Sequence, residues 1–271
     1  MHLLSIDKNV ARHDLSRMER TVRIAAVQSP EFLGNIEAAM SYAADVLAQA
    51  VQAGVQLLCF PECYLQGYLL DEEMARTVAL DLSSADFAAV LNQFPQSDTI
   101  IVMGMIERHA GALYNSAIVV QNRSVIGRYR KAHLLRKESF FEAGTEATVV
   151  SVNCFRFGVN ICCDTRYPTA AQKIADLGGS LIVCPANNML PRSRAMEYKD
   201  VHNSARGERC RESGLWLMSS DVTGERDDCV GWGPTAVLNP AGQVVAQLPL
   251  EQLGLLIYDM PVHQARLTRH G

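Results

Sequence analysis

The chain has 271 residues, 48% of them hydrophobic and 20% charged, with a formal net charge of −4. That balance excludes a disordered polymer, and the slight negative charge excludes a general affinity for nucleic acid or anionic membrane. No apolar run approaches the roughly 20 residues that a membrane-spanning helix needs.

Residues 1–20, MHLLSIDKNVARHDLSRMER, read as a polar N-terminal arm, because charges interrupt every short apolar patch. A signal peptide would carry an unbroken apolar stretch there. A cytoplasmic location is therefore expected, and Met18 offers an alternative start. Residues 21–271 are expected to form a single domain, since no Pro-, Gly- or Ser-rich linker divides them. There are eight cysteines, an even number, but Cys59 and Cys184 lie inside apolar strand-like runs and the chain is large. Reduced thiols fit this better than a disulfide framework. Zinc is not expected either, as there is no C-x-x-C and the seven histidines are scattered.

Strand-like and helix-like segments alternate along the chain. TVRIAAVQ (21–28) is β-branched and strand-like, and residues 35–54 follow as a helix with Asn35 as N-cap and Gly54 as its stop. VQLLCF (55–60) is continuously apolar, as in strands buried on both faces. Residues 98–107, 114–121 and 124–130 read as successive strands, the last two joined at Asn122–Arg123. A strand at 155–163, a helix at 169–178, a strand at 180–185 and one long helix at 194–213 come next. Strands at 215–221, 235–247 (turning at NPAG) and 254–260 complete the pattern. AQAVQAGVQLLCFPE (48–62) and AQKIADLGGSLIVCPA (171–186) share one plan of helix, glycine, apolar strand, Cys and Pro. Two α/β halves packed on one another would produce this echo.

Ligands of open α/β sheets bind beyond the carboxyl ends of strands. Three polar residues stand at such ends: Glu62 after VQLLCFP, Lys131 after SVIGRYR, and Cys162 after FGVNI. Each has a plain structural reading, respectively a solvated loop acid, part of the basic run GRYRKAHLLRK, and a small buried packing residue. Together they form a mechanism. An ammonium lowers a thiol's pKa, a carboxylate takes its proton, and the ammonium then holds the oxyanion formed when sulfur attacks a carbonyl carbon.

FPECYLQGY, YRKAHL and GVNICCDTRYP resemble, in order and spacing, the three signature blocks of the nitrilase superfamily, the carbon–nitrogen hydrolases. The resemblance spans about residues 21–260. It implies an α/β fold, a four-layer αββα sandwich of two stacked mixed sheets with outer helices, and commonly a homodimer or higher homo-oligomer. It also implies hydrolysis of a non-peptide C–N bond through a cysteine thioester, with Glu62 as base, Lys131 as oxyanion stabiliser and Cys162 as nucleophile. No metal or organic cofactor is expected. A second glutamate that positions substrate would be Glu138, with Glu142 as competitor. Asn187 in SLIVCPANN and Tyr68 in QGY are candidate pocket residues. Asp221 stands where the family usually has Asn, and Cys163 where it usually has Tyr or Trp. Strand alternation would send Cys163 to the opposite side from Cys162. Asp164 and Arg166 are expected to fix the turn behind the nucleophile, as an ion pair or a cap.

The substrate expected from the resemblance is a small amide or N-carbamoyl compound, with a nitrile or a non-catalytic small-molecule-binding role as alternatives. An acidic loop with Glu225, Asp227 and Asp228 would favour a cationic amine substrate if it rims the pocket; otherwise it is a soluble loop. Three rival readings use other residues: a Cys–His hydrolase with His133 as base, a redox pair Cys162–Cys163, and a nucleic-acid patch at residues 128–137.

Overall fold

The computed structural model describes residues 20–152 and 155–262. The expected arm lies outside them except for Arg20, which already belongs to the first strand, as do Cys154 and the tail after Val262.

The first half runs β1 (Arg20–Ser29), α1 (Ile36–Gln52), β2 (Leu57–Cys59), α2 (Glu72–Val78), α3 (Ala85–Asn92), β3 (Ile100–His109), β4 (Ala112–Gln121) and β5 (Ser124–Arg130). The second runs β6 (Val149–Val152), β7 (Phe155–Val159), α4 (Pro168–Asp176), β8 (Leu181–Pro185), β9 (Leu190–Pro191), α5 (Arg192–Tyr198), α6 (Val201–Ser213), β10 (Trp216–Arg226), β11 (Cys229–Trp232), β12 (Ala236–Leu238), β13 (Val244–Gln247) and β14 (Gly254–Val262). Asn35 caps α1 as expected, its side chain accepting from the Ala38 N–H. The β4–β5 turn places Asn122 and Arg123 at φ 48° and 62°, the left-handed pair that a type I′ hairpin turn requires.

The halves share one topology. The first sheet has the order β14-β1-β2-β3-β4-β5, in which β1, β2 and β3 are parallel and the other pairings antiparallel. The second has β6-β7-β8-β10-β12-β13, with β7, β8 and β10 parallel and the same antiparallel flanks. The echo between residues 48–62 and 171–186 is thus the α1–β2 and α4–β8 units in equivalent places. The sheets meet at one end, where Gln28 and Ser29 of β1 pair in parallel with Asp221 and Val222 of β10.

Alternation along β1 explains the layers. Val22, Ile24 and Ala26 face a core shared with Phe157, Val159, Leu181 and Met218 of the second sheet. Ala25 and Val27 face the other way, into a core with Met40, Ala43 and Leu47 of α1. On the far side, Ile174 of α4 and Cys210 of α6 pack on Ile182 and Leu217. The order is helix, sheet, sheet, helix: the expected αββα sandwich.

Several boundaries differ from expectation: the strand expected to end at residue 221 runs on to Arg226. The strand expected over 155–163 stops at Val159, and Cys162–Arg166 is a 3₁₀ turn. The helix expected over 194–213 is two helices, broken at Lys199–Asp200. Asp and the β-branched Val201 that follows are weak helix formers, so a break there costs little. The short helices α2 and α3 have N-caps, Asp71 and Ser84, which sequence reading passed over.

Candidate active site

Glu62 leaves the carboxyl end of β2 on a loop pressed against β3. At Gly104 of β3 a Cβ would stand 2.2 Å from the Pro61 carbonyl and 2.5 Å from the Cys63 nitrogen. The Gly104 N–H donates to the Pro61 carbonyl at 3.2 Å, and the Leu65 N–H to the Gly104 carbonyl at 3.1 Å. Only glycine permits this approach. Lys131 follows β5, which runs with β2 and so ends at the same side of the sheet. Its carbonyl accepts from the Gly144 N–H at 2.8 Å, and a Cβ on Gly144 would stand 2.2 Å from the Arg130 carbonyl. Two close glycine contacts therefore seat the loop of each charged residue.

The two side chains meet. Lys131 Nζ donates to Glu62 Oε1 and to Glu138 Oε1, both at 2.7 Å, and all three residues are buried. Asn115 of β4 bridges the carboxylates, its Nδ2 at 2.8 Å from Glu62 Oε1 and 3.2 Å from Glu138 Oε1. The Asn187 N–H donates to Glu62 Oε2 at 3.0 Å. Tyr68 OH donates to Glu138 Oε1 at 2.8 Å, and the Leu135 N–H to Glu138 Oε2 at 2.6 Å. Burial raises the Glu62 pKa, with Glu138 pushing the same way and Lys131 opposing. For Lys131, burial favours the neutral amine, but Glu62, Cys162 and Glu138 outweigh it and hold the ammonium well above its ordinary range.

Cys162 opens the 3₁₀ turn with φ 43°, a left-handed conformation unusual for a side-chain-bearing residue. Asp164 holds this turn. Its Oδ2 accepts from the Ile161 N–H at 2.9 Å and Tyr129 OH at 2.8 Å, and its Oδ1 from the His133 N–H at 2.9 Å. Burial raises the Cys162 thiol well above its ordinary 9.0, Glu62 adds to the rise and Lys131 opposes it. Cys162 also lines a cleft of about 350 Å³ that extends between the turn and helices α5 and α6.

Of the sequence candidates, Glu62, Lys131, Glu138 and Tyr68 come together in one network and Asn187 joins it through its backbone. Glu142, the competitor of Glu138, is exposed and accepts from Tyr114 OH at 2.9 Å instead. Cys163 does not point to the opposite side from Cys162. Both line the cleft, because the strand has ended and 3₁₀ geometry has replaced alternation. Asp164 caps the turn, but its ionisable partner is His133, Nδ1 at 2.8 Å, rather than Arg166. That bond, with the ring stacked 3.7 Å from Tyr167, gives His133 a place behind the turn. Arg128 and Arg130 of the basic run both pair with the buried Glu107, at 3.0 and 2.5 Å. Glu225 pairs with Arg192 at 2.9 Å, and none of Glu225, Asp227 and Asp228 lines the cleft. Asp221 is buried against Arg206 at 3.4 Å; burial pushes its pKa up to about 6 against that pull.

Sequence reading missed Asn115 and Glu31. Asn115 carried one signal, a polar residue inside the apolar run of β4. Glu31 accepts from Asn187 Nδ2 at 2.8 Å and pairs with Arg226 at 3.4 Å, a contact no local pattern announces.

The sandwich and its strand-end cluster define a class of α/β hydrolytic enzymes, and comparison gives the family. A model of carbon-nitrogen hydrolase matches residues 23–270, and the chain belongs to that family. An (R)-stereoselective amidase of a Pseudomonas species is 31% identical over 215 residues, covering 79% of this chain and 76% of its own. A nitrilase of Pyrococcus abyssi is 28% identical over 246 residues, 88% of this chain and 90% of its own. The fold matches the crystal structure of an amidase from Nesterenkonia sp. with a TM-score of 0.76 at 21% identity, over 90% of this chain and 91% of that one. The chain is accordingly a carbon–nitrogen hydrolase. Among the described residues no helix is long and apolar enough to cross a membrane.

Proposed function

We propose that the chain hydrolyses a small amide or N-carbamoyl compound through an acyl-thioester on Cys162, with Glu62 as base and Lys131 as oxyanion stabiliser. The observation that carries this reading is the Lys131 ammonium held 2.7 Å from both Glu62 and Glu138, a cation whose charge opposes the rise that burial gives the Cys162 thiol.

The steps follow from the charges. With its pKa raised, Cys162 rests as a thiol. As sulfur attacks the carbonyl carbon, its proton passes to Glu62. The oxyanion that forms meets the Lys131 ammonium and the N–H of Cys163 at the start of the turn, where N–H groups lack intrahelical partners. The C–N bond breaks, and Glu62 returns the proton to the departing nitrogen. Water then attacks the thioester, giving its proton to Glu62; the C–S bond breaks, the acid leaves and the thiol is restored. Glu138 stays on Lys131 and fixes its direction, while Asn115 and Tyr68 hold Glu138. A mutant of an amidase from Nesterenkonia sp. with the same fold carries the acetamide moiety of fluoroacetamide covalently at its active-site cysteine, an alkylation that supports a nucleophilic cysteine at this place in the fold.

Ammonia release from a panel of small amides and N-carbamoyl compounds tests the proposal. Cys162→Ala, Glu62→Gln and Lys131→Ala should each lower kcat by at least about a hundredfold, the range of a lost general base or oxyanion donor, while His133→Ala retains turnover. Full activity in Cys162→Ala, or loss confined to His133→Ala, would overturn it.

A further inference from the structure

The walls of the cleft carry charge of one sign. Four full-time cations line it, Lys137, Arg166, Arg194 and Arg206, and no Asp or Glu does among the described residues. Arg206 is spent on the buried Asp221. Arg194 has only a loose exposed contact with Glu197 at 3.8 Å. Lys137 and Arg166 have no ion pair among the described residues. Lys137 instead lies over the Tyr68 ring, 4.8 Å from its centroid. Arg166 and Arg194 converge on Tyr198, 5.9 and 5.3 Å from its ring centroid. The two guanidinium groups lower the pKa of that phenol through hydrogen bonds and charge, as they would favour any anion placed between them.

The acidic loop that would have drawn a cationic substrate is turned elsewhere, with Glu225 neutralised by Arg192. A cleft with Lys137 and Arg166 on its wall, neither in an ion pair among the described residues, repels an ammonium and attracts a carboxylate, and guanidinium forks match carboxylate geometry.

We propose that the cleft selects a substrate bearing a carboxylate beyond the scissile C–N group, bound by Arg166, Arg194 and Lys137. This rests on the hydrolytic role of Cys162. Arg166 closes the 3₁₀ turn that Cys162 opens, so both ends of such a substrate meet residues of one turn, and the test varies the spacing between them. Two sources supply this chemistry, the monoamide of a dicarboxylic acid and an N-carbamoyl amino acid.

The test compares kcat/KM within matched sets. The monoamides of succinic, glutaric and adipic acids are set against neutral amides of equal length and against 5-aminopentanamide. N-Carbamoyl-β-alanine is set against propylurea. The carboxylate-bearing member of at least one set should be preferred by about tenfold or more, through KM, and the preference should shrink as salt rises to about 0.5 M. Arg166→Gln and Arg194→Gln should bring the ratio toward one; both residues are exposed, and thermal unfolding confirms that the variants fold. The set with the larger ratio identifies the source. Equal or better turnover of the neutral or cationic member in every set overturns this inference and leaves the hydrolytic reading intact. No turnover of any compound, with no acyl group on Cys162, removes the hydrolytic reading and this inference with it.

Discussion

Gly104→Ala is a substitution of one methyl group, and its consequence is calculable. The added Cβ would stand 2.2 Å from the Pro61 carbonyl oxygen and 2.8 Å from the Glu62 carbonyl carbon. Carbon and oxygen in ordinary contact sit more than 3 Å apart, so either β3 or the Glu62 loop moves by about 1 Å, the scale at which overpacking costs 1–3 kcal/mol. The obstructing atoms are backbone, so no side chain can rotate away. Lys131 accommodates little of this motion, being held at 2.7 Å by Glu138 as well as Glu62. A 1 Å displacement of a reacting group costs on the order of a hundredfold in rate. Turnover of the best amide and the thermal midpoint are measured together, with Gly111→Asn as control, since nothing lies within 4 Å of a Cβ there and Asn tolerates positive φ. Expected are a kcat loss of about a hundredfold with a folded protein, and a control close to wild type. Wild-type turnover and stability in Gly104→Ala would refute the view that this contact seats Glu62.

Other substitutions test other parts of the site. Because burial raises the Glu62 pKa and the base acts ionised, kcat/KM should fall as pH drops through a value above the ordinary 4.5; a pH–rate profile flat down to 4.5 would contradict this. Asp164→Ala removes an acceptor shared by Ile161, Tyr129 and His133, so it should lower stability by about 2–4 kcal/mol in denaturant unfolding and slow acylation of Cys162. Asp221→Ala takes the ion-pair partner from the buried Arg206, which keeps its hydrogen bonds to Asn203, Ser219 and the Pro234 carbonyl, an expected loss of about 3 kcal/mol; a denaturation midpoint equal to wild type would show that those hydrogen bonds suffice. Glu138→Gln should reduce kcat far more than Glu142→Gln, because only Glu138 touches Lys131.

The layers and the pairing of halves were legible because alternation and apolar runs obey the geometry of a sheet buried on both faces. Val22, Ile24 and Ala26 announce one face of β1, and the repeated helix–Gly–strand–Cys–Pro plan announces the second half. Glu62 and Lys131 were legible as charges at strand ends, in signature blocks, whereas Glu138 came only through the family resemblance. What failed did so for local reasons. Cys162 and Cys163 were given opposite directions because alternation was carried past Val159, where the backbone had become a turn. Asn115 and Glu31 reach the site through contacts distant in sequence, and sequence spacing holds no information about those. Of the two roles left open for the acidic loop the soluble one holds, and a local run of Glu and Asp does not reveal that Arg192, from another segment, pairs with Glu225.

The central claim is that sulfur of Cys162, and not its neighbour, carries the acyl group. Rapid acid quench during turnover of an amide, followed by intact mass and peptide mapping, measures this directly. The expected result is one acyl unit on Cys162, accumulating further in Glu62→Gln where an activated ester acylates the thiol and hydrolysis of the thioester is slowed, and none in Cys162→Ala. An adduct on Cys163, or turnover without any adduct in the protein and undiminished in Cys162→Ala, would contradict it.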